Sequence, residues 1–452
     1  MATFDKKAPG VYVEEISKLP PSVASVATAI PGFVGYTEKG TKNTAIRVES
    51  LIDFEEKFGY ACKIAISDEE NKINGLEYKL HESMRLFYAN GGGTCYVVSV
   101  GNYTDAISNT ALETGISMLE PIDEVTMIVV PDAVSLEIKD LASVQNAALA
   151  QCLELKDRVA ILDVKDTGNC NTDATNFRNS IGTKGASYGA AYYPYIKSVY
   201  DREINVYDIY KGLELSNQEL ENAQYYAELS EPTEESTLFA KQLMSKPEYA
   251  KLVAKIQEQA NLLPPSGAIA GIYCANDNQR GVWHAPANMS VSGISDINVR
   301  ISDKQQGELN ENTSGKCINA IRAFQGKGIL VWGARTLDGL SSEWKYISVR
   351  RFFNYVEESI QESTAWAVFQ PNDANTWVKV RCQIENFLSN LWRDGALAGS
   401  TPQEAFYVRV GINQTMTAQD ILNGYMIVEI GMAAVRPAEF IVLQFSHKLQ
   451  ES

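Results

Sequence analysis

Apolar positions along the chain alternate between two rhythms. Short continuous apolar runs read as strands, and between them apolar residues recur with the three- and four-residue spacing of amphipathic helices. "TAIPGFVGYTEKG" predicts a strand through Phe33–Thr37 that closes at Gly40. In "ESLIDFEEKFG", Ser50 is placed to cap a short helix, Asp53 takes the capping-box position, and Leu51, Phe54 and Phe58 form the stripe. A second helix is predicted over about residues 76–89, with Leu80, Met84, Phe87 and Tyr88 on one side; "NGGG" ends it and "TCYVVSV" follows as a buried strand. "VTMIVVPDA" (Val125–Ala133) and "RVAILDV" (Arg158–Val164) repeat the strand signal, followed by helical stretches at Leu141–Leu155 and "TDATNFRNSIG". Apolar strands alternating with amphipathic helices predict a largely parallel sheet covered on both faces.

The rhythm changes twice. From about residue 201 to 261 the chain is polar, acidic and helical, and it reads as a solvated excursion on the α/β domain. A third region begins near Cys317. "GILVWGARTL" is a strand, and "SVRRFFNYVEESIQESTAW" is a helix with Phe352, Val356 and Ile360 in register. Asn372 is a candidate N-cap for the next helix, whose Trp377, Val380, Ile384, Phe387, Leu388, Leu391 and Trp392 keep helical spacing to Gly395. "EAFYVRV" then alternates Phe406, Val408 and Val410 against Tyr407 and Arg409, and "GYMIVEIGM" adds a further strand. The fold class expected is thus α/β and α+β, multidomain.

Both ends look like strands without partners. "APGVYVEEI" sets Val11 and Val13 against Tyr12 and Glu14, between Pro9-Gly10 and the tether marked by Pro20-Pro21. "EFIVLQFSHK" (Glu439–Lys448) follows the proline of "AAVRP". A strand on a tether cannot bury itself, and its unpaired N–H and C=O groups invite a partner.

Composition narrows the function. A chain of 452 residues, 45% hydrophobic and 21% charged, has room for two or three ordinary globular domains. No run approaches the roughly 18 apolar residues of a membrane helix, so direct membrane insertion is not expected. Lys6 and Lys7 precede no apolar stretch or cleavage site, which predicts cytoplasmic assembly. A net charge of −16 argues against a nucleic-acid partner. The seven cysteines lack CxxC spacing and read as reduced thiols.

Chemistry finds little to stand on. His81, His284 and His447 are far apart, and neither HExxH nor GxSxG occurs. "FQGKGIL" and "TSGKC" lack the upstream glycine of a phosphate loop, and "NGGG" runs from helix to strand, the reverse of a phosphate-binding turn. Glu14-Glu15 and Glu357-Glu358 read as solvated pairs. No catalytic, metal-binding or cofactor residue is expected.

"PPSGAIAGIYCANDNQRGVWHAPAN" (Pro264–Asn288) resembles the sheath proteins of contractile phage tails and phage-like injection systems. The likeness continues through "INAIRAFQGKGILVWGARTL", "VRRFFNYVEESIQESTAWAVFQPNDANTWVKV", "FLSNLWRDGALAGSTPQEAFYVRV" and "IVEIGMAAVRPAEFIVLQF". "PGVYVEEI" and "AIPGFVGYT" carry it at the other end; residues 201–261 do not match. The resemblance implies a subunit of hexameric rings stacked around an inner tube, with contraction driving the tube into a target. It implies terminal strands, Val11–Glu14 and Phe440, Ile441, Val442 and Leu443, exchanged between neighbours. The organisation expected is an arm at 1–30 and an α/β middle domain at 31–317 carrying the acidic helices of about 201–261. A small α+β sheath domain at 318–437, completed by neighbours' strands, and an arm at 438–452 follow. Lys379, Arg381, Glu385 and Arg393 are the expected tube-facing residues. The implied partners are copies of the chain, the tube protein, and baseplate and cap proteins, within a phage tail or a phage-like particle, including ones released from the cell. A non-contractile shell or tube protein, and a nucleotide-binding or hydrolytic enzyme on the middle domain, are the alternatives.

Overall fold

A computed structural model describes residues 23–67, 72–229 and 231–440. The strand expected at Val11–Glu14 lies outside the described residues, as do Ile441, Val442 and Leu443. The chain forms two compact units. One is built on Ser359–Ala433; the other on Val26–Glu358, rejoined by the chain from Ala434.

The larger unit is organised by a nine-stranded sheet. Its order is Met289–Ser290, Gly328–Val331, Ile318–Phe324, Gly189–Tyr193, Val159–Asp163, Met127–Val129, Pro31–Gly35, Cys95–Ser99 and Ala45–Val48. Strands from Ile318–Phe324 across to Cys95–Ser99 pair in parallel, and the marginal strands join by antiparallel pairing. Because successive strand residues point to opposite faces, the apolar runs serve two cores. Val34, Val98, Ile128 and Leu162 pack with Leu112, Val144 and Leu149 from the helices Asn109–Ser117 and Ile138–Leu155. Phe33, Val97, Val129 and Ile161 pack on the other side with Met84, Phe87, Ile269 and Tyr273, from the helices Leu80–Ala89 and Ser266–Arg280. The parallel sheet covered on both faces that the alternation predicts is the architecture found.

Those last two helices meet at backbone distance. A Cβ on Gly267 would lie 2.5 Å from the Ser83 carbonyl oxygen, and one on Gly271 2.4 Å from that of Phe87. The same helix is fixed at its start by a carboxylate: Ser266 N–H donates to Asp163 Oδ1 at 2.9 Å, at the end of a central strand.

The boundary expected at residue 317 is corrected. Ile318–Phe324 pairs with Gly189–Tyr193, Ile318 facing Ala191, and Gly328–Val331 pairs with it in turn. Both strands therefore belong to the large sheet, and the division falls after Glu358. The helix Ile347–Thr364 runs across it. Two local expectations also shift. The first strand is Pro31–Gly35, and the second helix begins at Leu80.

Residues 201–261 form the helices Asn217–Ala227, Glu234–Met244 and Pro247–Ala260. The expected solvated excursion has cores of its own: Val206, Tyr210, Leu213, Ala223, Phe239 and Leu243 are buried together. Ile256 and Ala260 close over Ile64, Ile66 and Ile209. Its root is held by Arg202, which pairs with buried Glu82 at 2.5 Å and donates to the carbonyls of Gly75 and Tyr78.

Asp163 supplies a pH test. Burial pushes its carboxyl from the ordinary 3.8 up to about 7, against the hydrogen bonds from Ser266. An acid whose folded pKa is raised favours folding most at low pH. Its contribution falls as pH climbs from the unfolded value to the folded one, then levels. Asp163→Asn keeps an acceptor for the Ser266 N–H and removes that loss. Thermal unfolding across pH should show the variant gaining on the parent between about pH 4 and pH 7 and holding a constant difference above. A pH-independent difference would show that Asp163 is not the group involved.

Candidate assembly interface

The smaller unit is built on one helix and one ribbon. The helix Ala374–Arg393 is capped by Asp373, whose side chain accepts from Thr376 N–H at 2.9 Å. Asn372, the expected cap, is instead a brace: it accepts from Trp377 Nε1 at 2.6 Å and donates to the Tyr425 carbonyl at 2.9 Å. Val380, Ile384, Phe387, Leu388 and Leu391 form the buried face, as their spacing predicts.

The ribbon pairs Phe406–Val410 with Val428–Met432, antiparallel, from Phe406 opposite Met432 to Val410 opposite Val428. Val408 and Val410 are buried, whereas Tyr407 and Arg409 point out, where Tyr407 Oη donates to Glu429 at 2.8 Å. Among the described residues no third strand flanks the ribbon. Two strands alone are marginal in water, and a free edge is a template for another chain.

Beside the ribbon lies a groove of about 760 Å³, lined by Val380 and Ile384 of the helix, Val428 and Ile430 of the ribbon, and Val368 and Phe369 of the connecting turn. Phe369 holds a φ of 65° and is fully exposed. A bulky residue in the left-handed region is uncommon, and here its ring gains no burial in return. Tyr425, Ile427 and Leu422 add exposed apolar surface to the same unit.

The roots of both ends are held by buried arginines of the larger unit. Arg351 forms a 2.6 Å pair with Asp277, both almost wholly buried, and donates to the Thr28 carbonyl at 3.0 Å. Arg335 grips Glu439 through Nε at 2.9 Å and Nη2 at 2.6 Å, and Tyr346 Oη donates to the same carboxylate at 3.1 Å. Burial works to raise the Glu439 carboxyl, and the bonds and charge of Arg335 outweigh it, holding it below the usual range. Phe440, one residue further, is largely exposed. Sequence reasoning missed these arginines; the signal available was a charge inside an otherwise apolar run, as in "VWGARTL" and "SVRRFF".

Of the residues singled out beforehand, Lys379 and Arg393 are exposed and Arg381 and Glu385 half-exposed, the last two an i,i+4 pair at 3.7 Å. All four stand off the buried face of one helix. Among the histidines, His81 contacts Glu55 at 3.3 Å and His284 lies at Trp283; the structure does not bring the two together. Among the described residues, no helix is long and apolar enough to cross a membrane.

The family model for the phage tail sheath protein central domain matches residues 105–337, and that for the phage tail sheath C-terminal domain matches 341–448. The chain belongs to the phage tail sheath family. Among solved structures it is similar to the sheath of an extracellular contractile injection system, PVC, in its contracted state, with 30% identity, a TM-score of 0.66 and 99% of each chain covered. The helical sheath of the anti-feeding prophage in its contracted state gives 30% identity and a TM-score of 0.65, covering 97% of this chain and 99% of that one. Among curated proteins, the tail sheath protein of Vibrio phage KVP40 is 23% identical over 192 residues, 42% of this chain and 27% of its own length. That of Enterobacteria phage T4 is 25% identical over 126 residues, 28% of this chain and 19% of its own. The chain thus spans under a third of the length of these two phage proteins and nearly all of the two injection-system sheaths.

Truncating Ile384, 1% exposed at the groove wall, should cost about 2–5 kcal/mol as Ile384→Ala. Lys379→Ala and Arg393→Ala should stay within about 0.5 kcal/mol. Urea unfolding followed by tryptophan fluorescence checks both. A large loss from either charged residue would mean that it serves the fold of its own chain and is not a free contact residue.

Proposed function

We propose that this chain is a structural sheath subunit of a contractile, phage-tail-like injection apparatus. It polymerises as stacked hexameric rings around an inner tube and is completed by strands exchanged between neighbours. The observation that carries the reading is a ribbon that no third strand flanks among the described residues, set beside an apolar groove, in a chain whose two ends both read as strands. Adding a neighbour's strand to a free edge pairs the backbone on both sides and lets alternate side chains fill the groove. Val11–Glu14 and Phe440–Leu443 are the proposed donors.

Contraction then needs no active site. Bodies swing and repack while the exchanged strands keep the lattice joined. The work comes from surface buried and polar groups paired in one packing and not in the other, because packed interfaces are bistable. A small gain per subunit adds over many copies. The exposed face carrying Lys379, Arg381, Glu385 and Arg393 is the proposed contact with the tube, and baseplate and cap proteins terminate the stack. The likeness to contracted sheaths of two injection systems supports this reading.

Negative-stain microscopy of the purified chain tests it, with cylinders or stacked rings expected. Deleting Met1–Ser17 should abolish them while leaving circular dichroism and the melting midpoint of the larger unit unchanged. Loss of fold in place of loss of assembly would mean that the N-terminal strand belongs to its own subunit. Cylinders whose length and diameter never change under a contraction trigger would make this a non-contractile shell.

A further inference from the structure

We propose that the Arg335–Glu439 pair is the fixed point of the C-terminal arm: up to Glu439 the segment stays bolted to its own body. The proposal rests on the strand-exchange reading and adds where the arm is held. Arg335 is 1% exposed. Among the described residues Glu439 is the only carboxylate paired with it, and the remaining donor, Nη1, goes to the Asn310 carbonyl at 2.8 Å. Lifting the segment away would leave a guanidinium buried without its counter-charge, so the root does not peel off as the arm moves.

The bolt leads directly into the sheet. Arg335 N–H donates to Asn319 Oδ1 at 2.7 Å, and Asn319 Nδ2 donates back to the Arg335 carbonyl at 2.8 Å. Asn319, fully buried, sits in the strand Ile318–Phe324, inside the sheet. Tension on the arm therefore passes from carboxylate to guanidinium to the backbone of Arg335, and from there through Asn319 into the nine-stranded sheet. Tyr346 steadies the carboxylate, and Arg436 donates to the Ser342 carbonyl just upstream.

Limited chymotryptic cleavage of the full-length, unassembled chain tests the bolt without requiring a sheath. Cleavage after the exposed Phe440 requires the residues before it to leave the body and enter the protease, so it should be slow in the parent and several-fold faster in Glu439→Gln, which keeps the size of the side chain and removes its charge. Under a contraction trigger, Glu439→Gln sheaths should break into short stacks where parent sheaths stay whole. Equal cleavage of parent and variant overturns the proposal, and so do Glu439→Gln sheaths as long after contraction as the parent's. A parent that makes no sheath at all sinks the functional reading instead, and the cleavage result still decides the bolt.

Discussion

A backbone N–H or C=O shut away from water has to find a partner, and this chain meets that demand differently in its two units. In the larger unit the central strands are paired on both sides. The margins are kept modest, with a two-residue strand at one edge and the part-exposed Ala45–Val48 at the other. Short, half-polar margins discourage a second chain from adding on. Among the described residues the ribbon Phe406–Val410/Val428–Met432 has no such protection, and it stands beside an open apolar groove. One unit is finished by its own chain, and on the proposed reading the other is finished by its neighbours.

The finished unit is tied together by arginines that the apolar pattern does not announce. Arg158 donates to the carbonyls of Leu119 and Ile122, and Arg202 to those of Gly75 and Tyr78. Arg351 holds the Thr28 carbonyl and Arg335 the Glu439 carboxylate. Each joins segments distant in sequence, and each is nearly or wholly buried. Such pairs add little net stability, yet breaking one strands a charge at a cost of about 3–5 kcal/mol. Their effect is to make loop displacement expensive. On the proposed reading, that is the property wanted of a body that moves as one piece.

Much of this architecture can be read from the sequence because the central strands are buried on both faces and so appear as unbroken apolar runs between amphipathic helices. Helix caps were partly legible. Ser50 caps as its position predicts, accepting from Asp53 N–H, but the reciprocal half of the expected capping box is absent: Asp53 accepts from the Glu49 N–H instead of that of Ser50. At the later helix the expected cap, Asn372, is drawn off to Trp377 and Tyr425, and Asp373 caps in its place. The boundary at 317 misled because nothing local distinguishes a strand opening a new domain from one that pairs back across the chain to Gly189–Tyr193. Residues 201–261 read as solvated because their apolar residues are few, although six of them suffice for a small core. The ribbon was legible as two strands; that no third joins it among the described residues is a fact of tertiary structure.

A sheath of many copies meets an electrostatic constraint as well. Each chain carries a formal charge of −16, so like-charged bodies brought together repel. At about 0.15 M salt that repulsion is screened beyond roughly 8 Å, which leaves it acting mainly where surfaces touch. Contacts between bodies are then weakened at the range where they form, whereas a strand added to a neighbour's ribbon holds by backbone hydrogen bonds and apolar burial that net charge barely affects. Division of labour follows. On the proposed reading, cohesion resides in the strands and in the buried bolts at their roots, and the body surfaces are left free to exchange one weak packing for another.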